Sequence, residues 1–437
     1  MAVSAREAAV TALGAYRRSG AWSDAYLNGV FKKENMDSRD KALATRLSNG
    51  VLQNMSLIDY RLGLYVKGGI GKLQPIVLDI LRVSAYQIMF MDKIPHSAAV
   101  NEGVAIAKKL ANKAAAGLVN AVLRRISENV GKYPEPKEPW TRYSHTEQWY
   151  KYFSALIGAE NAEKLMAEDN AETDIALRAN PLRCTPEELI ASLEAEVVSA
   201  RKHDWLDGCV VISGAGSPGE LKAFKDGLAM VQDAAAAMAV LAAEPQKGEE
   251  VLDACSAPGG KSFLSAMLMG NEGSILSCDL HANKLKRIDE GAERLHIDII
   301  STAPADGSKF NPALEERFDL VIADVPCSGM GVVRKKPEIR YKSFEDIAQL
   351  PEIQYNILMN LARYVKPDGR LVYSTCTLIR EENEGVTEKF LSKNHGFTKE
   401  SFTLPQPIGE VIEGEKTLWP FEYGTDGFYI CRMRKKK

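Results

Sequence analysis

The chain has 437 residues, 45% hydrophobic and 26% charged, which is globular composition for about three domains and excludes collagen-like, low-complexity and disordered classes. Its net charge of −3 hides an asymmetry. Residues 1–130 carry 18 Lys+Arg against 10 Asp+Glu (+8), and residues 131–437 carry 37 against 48 (−11). A basic first third points to a polyanion partner as readily as to a solvated Lys-rich helix surface. The longest uncharged apolar run, Ala234–Ala243, is too short to span a bilayer, and the N-terminus shows no secretory h-region. Seven cysteines, none before Cys184 and none in a C-x-x-C pair, argue against a disulfide framework or a zinc site. A cytosolic protein with reduced thiols is expected.

Residues 1–135 read as an all-helical domain. Apolar residues recur at helical spacing in Ala9-Val10-Leu13-Tyr16 and in Leu43-Leu47-Val51-Leu52. The run Ile76–Phe90 is rich enough for a central buried helix, and Asn101–Ala111 and Gly117–Ile126 follow as two more. Three prolines in Tyr133–Pro139 block regular structure and mark a boundary. Residues 136–226 read as a small α+β domain. Its helices are predicted at Glu147–Leu156 and Ala159–Asp169 and after the Thr185-Pro186 start signal, with strands at Ile175–Arg178 and Val210–Ile212.

From Gly227 the rhythm becomes strand–helix alternation. Strands are predicted at Glu250–Asp253, Ser274–Asp279, Asp298–Thr302, Phe318–Asp324 and Gly369–Ser374. Repeated βα units predict a parallel, Rossmann-like α/β sheet with helices on both faces over residues 227–437, and ligands at the carboxyl ends of its strands.

The first strand runs into Asp253-Ala254-Cys255-Ser256-Ala257-Pro258-Gly259-Gly260-Lys261-Ser262. Neither a P-loop nor a Gly-x-Gly-x-x-Gly fingerprint fits this loop. Asp279 ends the second strand, where acids accept ribose hydroxyls, and Asp306 after the third is placed for an adenine amino group. A glycine loop with two such acids and no phosphate cradle suits S-adenosylmethionine better than NAD or ATP. The fourth strand ends in Asp324-Val325-Pro326-Cys327 and the fifth in Thr375-Cys376. A thiolate beside a methyl donor is the group needed when the acceptor is a pyrimidine carbon.

The segments DACSAPGGKS (253–262), Asp279 with Asp306, ADVPCSG (323–329) and YSTCT (373–377) together resemble the RNA cytosine-C5 methyltransferases. Thr425–Tyr429 resembles that family's closing strand, and Leu118–Arg125 resembles the helical RNA-binding domain of the antitermination factor NusB. The combination is similar to bacterial 16S rRNA cytosine-C5 methyltransferases. The resemblance implies a class I S-adenosylmethionine methyltransferase domain behind a NusB-like bundle and a middle domain. It makes Cys376 the nucleophile, Cys327 the residue that assists breakdown of the adduct, and Asp324 a hydrogen-bond partner of the base. Cys255, Ser256, Ala257, Pro258, Gly259, Gly260 and Lys261 would line the cofactor site with Asp279, Asp306 and Asp324, and Lys261 would pair with Asp324. DNA enzymes of this chemistry use the Pro-Cys cysteine instead, here Cys327. The implied partner is 16S rRNA, free or in an assembling subunit, and a monomer is expected. A tRNA or 23S rRNA methyltransferase and a non-enzymatic RNA-binding antitermination factor are the rival readings. Arg334, Lys335, Lys336 and Arg340 are expected to grip phosphates, and Arg432 to Lys437 to form a solubilising tail.

Overall fold

The computed structural model describes residues 3–19, 23–214 and 216–437. Two compact units emerge: the described residues up to Ala171 together with Val333–Lys342, and Glu172–Val332 together with Ser343–Lys437.

The first unit is all-helical, with helices Ala5–Ser19, Ser23–Glu34, Ser38–Gly63, Pro75–Phe90, His96–Leu110, Lys113–Glu128, Glu147–Ile157 and Ala159–Glu168. The expected central helix is Pro75–Phe90, started by a proline at its first position and burying Val77, Ile80, Leu81, Ala85 and Ile88. Asn112 caps the next-to-follow basic helix Lys113–Glu128 by accepting from the Ala115 amide at 2.9 Å. Gly50 is required by close packing, because a Cβ there would enter the Tyr86 ring. The proline-rich stretch runs within this unit, where Tyr133 donates to Ile126 O at 2.6 Å under the Arg61 guanidinium.

Arg340 corrects an expectation. It is not a phosphate grip: it is fully buried in the first unit, donating to Gln53 O (2.8 Å), Asn170 Oδ1 (2.7 Å) and Asp169 O (3.1 Å). Tyr341, beside it, donates to Leu52 O at 2.7 Å. A guanidinium carries five donors in a fixed fork, so one side chain satisfies several loop carbonyls that burial would otherwise leave unpaired. Lys335 and Lys336 are exposed, and Arg334 is half-buried. Arg340→Met is expected to cost about 3–5 kcal/mol, the range for breaking a buried charged network, read as a lowered chemical-denaturation midpoint.

The second unit holds two main sheets. In the smaller, antiparallel strands β1 (Ile175–Ala179), β2 (Ser199–Lys202), β3 (Cys209–Ser213) and β4 (Ala229–Val231) run in the order β2-β3-β1-β4. Asn180 fastens its end by donating to Gly227 O (3.0 Å) and Leu295 O (2.9 Å). The larger sheet contains β5 (Glu250–Asp253), β6 (Ser274–Asp279), β7 (Ile300–Pro304), β8 (Phe318–Asp324), β9 (Val365–Thr375), β10 (Phe397–Lys399), β13 (Glu415–Leu418) and β14 (Phe428–Lys435). A two-stranded pair, β11 (Phe402–Thr403) and β12 (Glu410–Val411), lies between β10 and β13 in sequence.

The large sheet runs in the order β10-β14-β9-β8-β5-β6-β7, with β13 also paired to β14. Strands β5 to β9 are parallel and β14 is antiparallel to β9, so this is a mixed Rossmann-like sheet, not a purely parallel one. The basic C-terminus is not a free tail. Arg432 lies buried in β14, donating to Ala242 O at 3.1 Å and to Glu400 at 2.6 Å. After β7 the chain crosses to β8 on the other side of β5, which opens a crevice at the carboxyl ends of β5 and β8. Among the described residues no helix is long and apolar enough to cross a membrane.

Candidate active site

The loop after β5 turns sharply into the helix Gly260–Leu268. Gly259 has φ +110°, and a Cβ there would lie 2.5 Å from the Phe263 ring, so only glycine fits. Ser256 ties the loop to β6, its hydroxyl donating to Cys278 O at 2.9 Å. Below it, Ser262 donates to Asp253 Oδ2 at 2.6 Å, and Ser277 donates to Ser262 at 2.8 Å.

A cavity of about 200 Å³ is lined by Gln232, Asp253, Cys255 to Pro258, Gly260, Lys261 and Asp324. The structure thus gathers most of the expected loop residues, while Gly259 shapes the turn. Gln232 and Asp253 are among the lining groups that the sequence reading did not assign to the site. Asp253 Oδ1 and Gln232 Oε1 are both buried without a hydrogen-bond partner, so two acceptors stand ready at the cavity. Burial pushes the Asp253 carboxyl up to about 6, against the Ser262 hydrogen bond and the Lys261 charge. Asp253 is the last residue of its strand, which alone would have flagged it; nothing in the sequence marks Gln232.

The other two expected acids lie apart from this cavity. Asp306 lines a neighbouring apolar cavity of about 230 Å³ with Ala305, Gly307, Phe310 and Tyr364. Each acid also closes a local turn: Asp279 Oδ1 accepts from the His281 amide (2.9 Å), and Asp306 Oδ1 from the Ser308 amide (3.0 Å). The Ser308 bonds hold the Asp306 carboxyl below its ordinary range.

The ends of β8 and β9 meet where their register pairs Asp324 with Ser374. Asp324 Oδ2 receives Lys261 Nζ at 2.6 Å and its Oδ1 accepts from Ser374 Oγ at 2.9 Å. Burial works to lower the Lys261 pKa, but Asp324, Asp253 and Cys376 around it outweigh burial and hold the ammonium charged. Three residues past the end of β8 and one past the end of β9, Cys327 and Cys376 face each other with sulfurs 3.2 Å apart. The hydrogen bond with Cys376, then burial and the nearby Glu382 and Asp324 charges, push the Cys327 thiol well above its ordinary value, so it keeps its proton. The Pro-Cys loop is pinned to the closing strand by Gly331. Its amide donates to Cys376 O (3.0 Å), its carbonyl accepts from the Gly427 amide (2.7 Å), and a Cβ on it would collide with Gly427.

A Rossmann-like sheet with a glycine loop, an acid-lined cavity and a lysine–aspartate pair at its switch point fits the methyltransferase class that the comparisons with known proteins show. The family described as 16S rRNA methyltransferase RsmB/F matches residues 240–434, the NusB family matches 3–128, and the RsmF/B-like ferredoxin-like domain matches 145–217. The "probable ribosomal RNA small subunit methyltransferase B" of Bacillus subtilis (strain 168) is 37% identical, with 99% of both chains covered. The protein so named from Synechocystis sp. is 31% identical over 99% of this chain and 100% of its own. Among solved structures, the crystal structure of PH0851 superposes with a TM-score of 0.80 at 26% identity, covering 99% of this chain and 98% of that one. The chain belongs to the 16S rRNA methyltransferase RsmB/F family and is an S-adenosylmethionine-dependent methyltransferase of that family.

Proposed function

We propose that this protein methylates C5 of a specific cytosine in 16S rRNA through a covalent bond between Cys376 and C6 of the base. The observation that carries this reading is the pair of thiols 3.2 Å apart at the ends of two neighbouring parallel strands. C5 of cytosine is a poor nucleophile until a sulfur adds at C6 and pushes electron density onto C5. Lys261 carries its charge within electrostatic reach of Cys376, and a nearby cation favours the thiolate form of a cysteine. Asp324, held by Lys261 and Ser374, faces the base near N3 and stabilises charge as it develops there. When the C5 proton passes to a water molecule, its bonding pair re-forms the C5–C6 double bond and the S–C6 bond breaks, returning its electron pair to the Cys376 sulfur. Cys327, still protonated, then gives its hydrogen bond to the departing Cys376 sulfur.

S-Adenosylmethionine, when bound, supplies one electrophilic methyl group from its sulfonium. The cavity after β5 suits its amino-acid end, because the orphaned Asp253 and Gln232 oxygens need donors of the kind an ammonium provides. Cys255 to Lys261 would line that part of the molecule, Asp279 would take the ribose hydroxyls and Asp306 the adenine amino group. An ammonium needs Asp253 ionised, so affinity for S-adenosylhomocysteine is expected to fall as pH drops through about 6. Calorimetric titration on both sides of that pH checks this, and Asp253→Asn should weaken binding and flatten the dependence.

In this reading residues 1–135 grip RNA through their basic surface, residues 136–226 form the middle domain, and residues 227–437 carry the chemistry. An rRNA substrate places the work in the cytoplasm. Incubation with labelled cofactor and undermethylated 30S subunits, free 16S rRNA, 23S rRNA and tRNA, followed by mapping of the label, tests the substrate. Label at a cytosine C5 in 16S rRNA is expected; label only in tRNA would overturn it.

A further inference from the structure

Both cysteines are partly exposed, and Ser328, Thr375 and Thr377 beside them are almost wholly buried and tied, while Pro326 is exposed but held through its carbonyl. Around Cys327, the Gln354 side-chain amide donates to Pro326 O at 2.9 Å, and the Ser328 amide donates to Glu382 Oε2 at 2.9 Å. Gln354 also donates to the same Glu382 oxygen at 2.8 Å, which closes the grip into one network. Around Cys376, the Thr375 hydroxyl donates to Asn383 Oδ1 at 2.6 Å, and Asn383 Nδ2 donates to Thr377 O at 3.0 Å. A final strut, Ser328 Oγ to Thr377 Oγ1 at 2.7 Å, joins the two loops directly.

Gln354, Glu382 and Asn383 are each at most 1% exposed. A carboxylate and two carboxamides so deeply buried are costly unless their geometry is satisfied, so the network tolerates few arrangements. Glu382 and Asn383 are consecutive, so the grip on the Cys327 loop and the grip on the Cys376 loop share one peptide bond.

We propose that Glu382, Asn383 and Gln354 are positioning residues that set the two thiols against each other, Asn383 acting on adduct formation and Gln354 with Glu382 on adduct breakdown. This rests on the assignment of Cys376 as nucleophile. The two grips are separable because the Gln354 and Glu382 side chains bond the peptide groups beside Cys327, whereas the Asn383 side chain bonds Thr375 and Thr377 beside Cys376. None of the three needs to touch the RNA or the cofactor. Their effect on the reaction passes through where the sulfurs stand, to which addition to the face of the base at C6 is sensitive.

The test uses the full-length enzyme with undermethylated 16S rRNA and labelled S-adenosylmethionine, reading the denaturant-stable protein–RNA adduct and the turnover separately. Asn383→Ala in a Cys327→Ala background is expected to slow adduct appearance by about 100-fold, the scale for a reacting atom displaced by about 1 Å. Gln354→Leu in the otherwise unaltered enzyme is expected to form adduct at the normal rate and to accumulate it. Glu382→Ala should behave like Gln354→Leu, and Glu382→Gln, which keeps an acceptor for both donors, should restore turnover. Asn383→Ser serves if the alanine variant does not fold, and thermal melting of every variant separates misfolding from mispositioning. If Asn383 and Gln354 variants slow the same step equally, the division of labour is wrong. If Cys376→Ala, not Cys327→Ala, traps the adduct, the nucleophile assignment fails. The grips then predict exchanged phenotypes, with Gln354→Leu blocking formation, and unexchanged phenotypes would overturn them too.

Discussion

Cys376→Ala is expected to abolish methyl transfer, while Cys327→Ala is expected to leave a covalent protein–RNA adduct that turns over slowly or not at all. Two thiols 3.2 Å apart do not share one role, because their surroundings differ. Cys327 keeps its proton: its hydrogen bond with Cys376, its burial and the charges of Glu382 and Asp324 all oppose ionisation. Cys376 sits with Lys261 in its electrostatic neighbourhood and has in Cys327 a thiol able to donate to it. An S–H donor beside a sulfur favours the thiolate before attack and favours its departure afterwards. Without Cys376 no bond to C6 forms and C5 stays unreactive. Without Cys327 the attack proceeds, but the sulfur must leave unaided. A denaturing gel of protein with labelled RNA separates the two outcomes, and adduct trapped by Cys376→Ala would reverse the assignment.

Asp324→Asn is expected to lower the rate of methyl transfer by about 10²- to 10³-fold, the scale for losing a preorganised charge at a reaction centre. The substitution keeps shape, so the β8–β9 register should survive. What changes is charge. Lys261 would lose its 2.6 Å partner, and its ammonium, held at 11% side-chain exposure, would stand largely uncompensated. Ser374 can still donate to an amide oxygen, so the damage falls on the lysine side and on the base. Single-turnover rates with saturating RNA and cofactor isolate this effect from binding. A loss confined to cofactor affinity would show that Asp324 serves the cavity and not the chemistry.

Much of the catalytic sheet was legible in the sequence. Predicted β5, β6 and β8 coincide with the observed strands, because short β-rich runs bounded by turn residues report directly on a buried parallel sheet. The third strand lies two residues later than expected, at Ile300–Pro304, and the edge strand's weaker burial explains the slip. Strands β2 and β4 went unread: β2 is mostly exposed and polar, and β4 has three residues, so neither offers a pattern to detect. Arg340 shows the opposite failure. Within a run of basic residues it looks like its exposed neighbours, and only its partners, more than 150 positions away in the chain, reveal a buried staple.

The candidate site divides along the same line. Motif residues at and after strand ends, from Cys255 to Lys261 and at Asp324, Cys327 and Cys376, are set by local chain direction, and the alternating strands and helices by themselves placed them at one edge of a sheet. Which residues support them is a different matter. Glu382 and Asn383 lie in the polar run Arg380-Glu381-Glu382-Asn383-Glu384, where nothing local separates buried from solvated side chains. Their partners, Ser328 and Gln354 for Glu382 and Thr375 and Thr377 for Asn383, turn them inward. The sequence alone determined the run of parallel strands β5 to β9 and the reactive groups at their ends, because period and spacing are local properties. The tertiary structure decided the 3.2 Å between the thiols, the orphaned oxygens at the cavity and the inward fate of Arg340, because each depends on residues brought together from distant parts of the chain.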